Sequence, residues 1–110
     1  MLSDKSKTIA TVLDLAADKI EPKEAWVQRA FAINAFGKPT DGYDPNATCW
    51  CAYGALQSVA YHGFLLDDAA RVLTSIVGCI PDWNDAPERT QPEVVAALRN
   101  AATLARAGAA

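Results

Sequence analysis

Ala47-Thr48-Cys49-Trp50-Cys51-Ala52-Tyr53-Gly54-Ala55-Leu56-Gln57-Ser58-Val59-Ala60-Tyr61-His62-Gly63 is the stretch whose reading decides the fold. Ala52, Leu56 and Val59 recur at helical spacing; so do Trp50, Tyr53 and Tyr61, and so do Cys51, Ala55, Ser58 and His62. The pattern predicts a helix from about Ala47 to His62, capped by Asn46 or Thr48 and stopped by Gly63. A helix apolar on every side belongs at the centre of its domain. Gly54 costs roughly 1 kcal/mol relative to alanine inside a helix, so close approach of a neighbouring helix is expected there.

Outward from this segment the helical period persists. From about Ser6 to Ile20, the residues Ile9, Val12, Leu13, Ala16 and Ile20 share one face. A second helix is expected from about Pro22 to Phe36, with Trp26, Ala30 and Ile33 inward and Gly37 as its stop. A turn-rich loop of ten residues, Gly37 to Asn46, follows. A fourth helix runs from about Asp68 to Val77, capped by Asp67, with Ala69, Val72, Leu73 and Ile76 inward. Val72 to Ile80 is β-branched enough to read as a strand, but a lone strand has no partner, so helix is preferred. Asp85 and Glu88 can start a short turn, and Thr90 with Glu93 forms a capping box before a last helix to about Ala107. There Val94, Val95, Leu98, Ala101, Ala102 and Ala105 face inward, and Arg99, Thr103 and Arg106 face water. The expected fold class is therefore all-α, a single compact bundle of about five helices over residues 1–110.

Composition bounds the function. The chain has 110 residues, 51% of them hydrophobic, and 22 of that set are alanine. The remaining 34 suffice for one modest core. Ten basic against 13 acidic residues, net −3, argue against a nucleic-acid surface. The longest apolar run, Ala30 to Phe36, is interrupted by Asn34, so no membrane span is expected. An odd set of three cysteines, with no secretory signal pattern after Met1, favours reduced thiols and a cytoplasmic location.

Candidate chemistry is sparse. Cys49 and Cys51 at the start of the central helix would feel the helix dipole, which lowers a thiol pKa. A nucleophile also needs a base, and His62, the one histidine, lies three turns from Cys51, roughly 16 Å along a continuous helix. The pair therefore fails unless the helix breaks near Gly54, and packed, inert thiols are the preferred reading. Three cysteines and one histidine at these spacings do not make a zinc site, and Asp41-Gly42-Tyr43-Asp44-Pro45-Asn46 lacks the calcium-loop pattern, so neither metal nor cofactor is expected. Asp82 and Asp85 flank Trp83-Asn84, with Glu88 behind; they read either as an acid–base pair beside an aromatic or as caps in a loop plugged by Trp83.

Two blocks carry a resemblance: Cys49-Trp50-Cys51-Ala52-Tyr53-Gly54-Ala55-Leu56, and Ile80-Pro81-Asp82-Trp83-Asn84-Asp85-Ala86-Pro87-Glu88-Arg89-Thr90 with Glu93-Val94-Val95. From about Trp26 to Leu98 the chain resembles a family of small uncharacterised bacterial and phage proteins. Its members share a Cys-Ala-x-Gly-Ala-Leu helix and a Trp-Asn-Asp turn. The resemblance implies a bacterial, prophage or phage setting and no particular activity. The resulting expectation is a non-enzymatic protein-interaction protein, of the accessory or inhibitor kind that includes anti-CRISPR and immunity proteins, binding a basic protein surface. Asp41, Tyr43, Asp44, Asp82, Trp83, Asp85 and Glu88 are its candidate contacts, the aromatics as anchors and the carboxylates as ion-pair partners. A thiol enzyme or redox protein using Cys49 or Cys51, and a structural homo-oligomer packed through the alanine-rich last helix, are the alternatives.

Overall fold

The computed structural model describes residues 4–60 and 63–109. In chain order they form α1 (Asp4–Ile20), β1 (Ala32–Asn34), β2 (Pro39–Thr40), β3 (Ala47–Trp50), α2 (Ala52–Ala60), α3 (Phe64–Val77), α4 (Ile80–Asn84) and α5 (Gln91–Leu104), then a π-helical turn, Ala105–Ala109. The strands pair antiparallel in the order β2-β1-β3. The fold is thus mixed α/β, about 60% helix and 10% strand, and the expected all-α bundle is corrected by this sheet.

Two expected helices account for the difference. The segment from Pro22 to Phe36 is a loop followed by β1. Glu24 and Arg29 take positive φ, 67° and 66°, which no α-helix accommodates. Backbone groups of this segment bond across the chain instead: Val27 N–H donates to Trp50 C=O at 3.1 Å, and Ala25 C=O accepts from Trp50 N–H at 2.9 Å. Gly37 turns the β1–β2 hairpin at φ 76° rather than ending a helix, and the Asn34 carboxamide caps that turn by accepting from the Phe36 and Lys38 N–H groups. The central helix begins five residues later than expected, because Ala47–Trp50 is spent on β3. Thr48 and Trp50 suit a strand once a partner is supplied, and tertiary pairing overrides the local helical period.

The helices that remain build one core. On α1, Ile9, Val12, Leu13, Ala16 and Ile20 are all buried, as their spacing predicts. They pack mainly on α5, whose Val94, Leu98, Ala101, Ala102 and Ala105 are buried, and on Leu56 of α2 and Leu73 of α3. Fully burying each large aliphatic side chain contributes roughly 1.5–3 kcal/mol, and the alanines let the helix axes approach. Arg99 on α5 donates to Asp14 and to Asp18 of α1, the latter at 2.6 Å, and Arg106 pairs with Asp14. Thr90 and Glu93 form the expected reciprocal capping box. Asp67 lies in the first turn of α3, not at its cap, which is Gly63, and Ile76 is 42% exposed rather than inward. No helix among the described residues is long and apolar enough to cross a membrane.

Candidate functional site

Asn84 ties the sheet to the helices. Its side chain is fully buried at the end of α4 and makes four hydrogen bonds. The carboxamide oxygen accepts from Trp26 Nε1 at 2.8 Å and from Ala52 N–H, at the start of α2, at 3.0 Å. The carboxamide nitrogen donates to Val27 C=O at 3.1 Å and to Asp85 Oδ1 at 3.0 Å. Gln28 adds two donations from its side chain, to the Asn84 and Ala86 carbonyls, and Arg29 N–H donates to Asp85. The Trp-Asn-Asp turn is therefore a clasp that closes residues 26–29 against α2. Trp83 is half-buried with the Arg89 guanidinium 4.2 Å from its ring centre, and Arg89 also donates to Trp83 C=O.

A second close contact sets the first block against the chain before it. At Gly54, a Cβ would lie 1.8 Å from the Phe31 carbonyl oxygen, the same oxygen that accepts from Cys51 N–H at 3.0 Å. The partner that Gly54 admits is thus the backbone leading into β1, not a neighbouring helix. On its other side, a Cβ at Gly42 would lie 2.1 Å from Gly54 C=O, and Gly42 N–H donates to the buried Gln57 side chain at 3.0 Å. The 41–46 loop is fastened to α2 by this stack.

The predicted contacts sort accordingly. Asp44 is absorbed by its own loop, accepting from Thr40 Oγ1 and Asn46 N–H. Tyr43 is half-buried beside Lys19, Trp50 and Ser58 around a cleft of about 200 Å³. Asp85 serves the clasp. Asp41, Asp82 and Glu88 remain exposed. The two acidic loops are not brought together: one docks on α2, the other on residues 26–29.

The thiols occupy three different settings, and the helix start expected for Cys49 is a strand. Cys49 lies on β3 opposite Ile33, away from any helix start. Cys51 precedes α2, is 3% exposed, and its sulfur accepts from Gly54 N–H at 3.2 Å. Burial pushes its thiol pKa up despite that bond, the opposite of what a thiolate nucleophile requires. Cys79 is exposed. His62, the base weighed for a cysteine pair, lies outside the described residues.

One surface feature was missed in the sequence. Phe31, held by the Gly54 contact, places its ring 5.7 Å from that of Tyr53, tilted by 46°. The pair forms one wall of an apolar groove of about 460 Å³, completed by Ala70 and Thr74 of α3 and by Cys79, Ile80 and Pro81. Burial pushes the Tyr53 phenol pKa up, helped by the nearby Tyr43 and Asp67. Tyr53 read as part of a helix buried all round, and Phe31 fell off the apolar face of a helix that does not exist. Among the described residues no group of three or more His, Cys, Asp or Glu could hold a metal ion.

A family described as one of unknown function (DUF6197) matches residues 4–104. The chain belongs to that family. The match takes in the whole span from α1 to α5, so the clasp, the Gly54 stack and the groove all lie within the family's domain. No curated protein and no solved structure matches.

Proposed function

We propose that the chain is a non-enzymatic interaction protein that presents exposed carboxylates to a basic surface of a partner protein. The carrying observation is how the polar residues are used. Trp26, Gln28, Asn84 and Asp85 bond to one another and to backbone, whereas Asp41, Asp67, Asp82 and Glu88 are exposed on a chain of net charge −3. Exposed carboxylates steer association and select partners by charge. On the resemblance, the setting is the cytoplasm of a bacterium or its phage, and the role is that of an accessory protein or inhibitor.

The test compares the native sequence with a triple variant, Asp41→Asn, Asp82→Asn and Glu88→Gln, after chemical cross-linking in the cells that carry the gene. These surface changes alter stability by less than about 0.5 kcal/mol. A specific cross-linked partner that is lost in the variant, and at high salt in extracts, supports the reading. Cross-links that are unchanged in the variant and insensitive to salt overturn it.

A further inference from the structure

We propose that the groove between the Phe31–Tyr53 pair and α3 is a docking site for a basic amphipathic segment of a partner protein, which seats aliphatic side chains in the groove and sets lysine or arginine against the carboxylates around it. The inference rests on the interaction reading above and adds the site and the form of the partner.

The groove is built, not incidental. The Phe31 backbone is held by Cys51 N–H donating to its carbonyl and by the close approach that Gly54 admits, and its ring lies against that of Tyr53. Phe31 is nevertheless 42% exposed. The opposite wall, Ala70 and Thr74, is one turn apart on α3, and the floor continues to Ile80 and Pro81 at the start of α4. A volume of about 460 Å³ falls in the range of roughly 300–1,000 Å³ typical of ligand pockets. Its open shape suits side chains projecting from one face of a helix, the mode in which an apolar face lies in a groove.

Charge selects the occupant. Asp67 lies one turn before Ala70 and is close enough to act on the Tyr53 phenol. Asp82 follows Pro81 and is exposed. The segments lining the groove also carry Asp68 and Arg71, paired with each other at 3.0 Å, and Arg29, whose backbone N–H donates to Asp85. Over these segments Asp67, Asp68, Asp82 and Asp85 stand against Arg29 and Arg71, and the excess is negative. An acidic or neutral apolar segment fits the walls but not this rim; a basic one fits both.

The probe is a fluorescein-labelled amphipathic helical peptide of leucine and lysine, against a peptide of the same spacing in which glutamate replaces lysine. Binding is followed by anisotropy, and the site by backbone amide shifts. The lysine peptide is expected to bind, to shift the amides of Phe31, Tyr53, Ala70 and Thr74, and to lose at least about tenfold in affinity in Thr74→Arg, an exposed helical position that tolerates the change. Asp67→Asn and Asp82→Asn should each weaken it severalfold and flatten its salt dependence. Equal binding of the glutamate peptide, shifts confined to another surface, or no binding of the lysine peptide each overturn the site. Amide shifts at the groove that grow with protein concentration alone overturn it in favour of a second copy. Shifts on another acidic surface would leave the interaction reading standing, whereas unchanged cellular cross-links would remove that reading whatever the peptide does.

Discussion

Replacing Asn84 measures the clasp directly. Asn84→Ala strips the Trp26 indole N–H, the Ala52 N–H and the Val27 carbonyl of a partner at once. Each buried group left unpaired costs about 1–3 kcal/mol. Water reaching the half-buried Trp26 edge offsets part of this, so a loss of about 3–5 kcal/mol is expected. Against a total stability of roughly 5–15 kcal/mol this is a large fraction, and it corresponds to about 12–20 °C in Tm for a domain of this size. Asn84→Asp separates hydrogen bonding from shape. The introduced carboxyl keeps both acceptor functions, but when ionised it sets negative oxygen against Val27 C=O and Asp85. Burial and Asp85 raise its folded pKa above the unfolded value of about 3.9. Below that value the protonated group donates to Val27 C=O and stability is close to native. Stability is then lost as pH rises from about 4 towards the folded pKa. Urea unfolding at several pH values, each compared with the native sequence at the same pH, cancels the other titrating groups. A cost under about 1 kcal/mol for the alanine variant, or a pH-independent gap for the aspartate variant, would refute the clasp.

Three further outcomes follow from the geometry. Gly54→Ala should cost more than about 3 kcal/mol or prevent folding, because the Phe31 backbone cannot retreat 1–2 Å without releasing Cys51; Gly37→Ala, strained only by its φ of 76°, should cost about 1 kcal/mol by the same denaturant curve. Asp14 is held below the usual carboxylate range: burial raises its pKa, but the bonds from Arg106 and Arg99 outweigh that. Its contribution to stability is therefore present above its unfolded pKa near 4 and lost as pH falls through the lower folded value, so Asp14→Asn should flatten the acid limb of a stability–pH curve and leave a steeper limb in the native sequence. With a chromogenic disulfide reagent at neutral pH, Cys79 should react in the native protein, while Cys51 reacts only on unfolding; rapid native reaction in a Cys79→Ser, Cys49→Ser variant would contradict the burial of Cys51.

The periodic helices were legible because their signal is local. Ile9, Leu13 and Ile20 on α1 and Val94, Leu98 and Ala101 on α5 repeat at helical spacing and end up buried together, and the Thr90–Glu93 capping box needs only three residues of context. The sheet was not legible because nothing local specifies it. Ala32-Ile33-Asn34 has weak strand character, and its conformation is dictated by partners elsewhere: Trp50, Cys49 and Ala47 on β3 and the Asn84 clasp more than fifty residues away. Positive φ at Glu24 and Arg29 is invisible in residue type, since neither glutamate nor arginine favours it. The same displacement hid the groove. The acidic residues singled out were recognisable as turn and cap formers, but which of them the fold consumes depends on contacts such as Arg29 N–H to Asp85.

The pairing of α1 with α5 has a consequence for synthesis. The stripe Ile9, Leu13, Ala16 and Ile20 emerges from the ribosome well before its principal cover, which begins at Gln91. At the usual elongation speed of about 5–20 residues per second, that interval is roughly 4–15 s. During it α1 has only the later-made α2 and α3 to lean on, and the sheet between them has no Asn84 to close it. The nascent chain therefore displays an apolar helix face for seconds before its cover is made, and α5 is the element whose arrival closes the core.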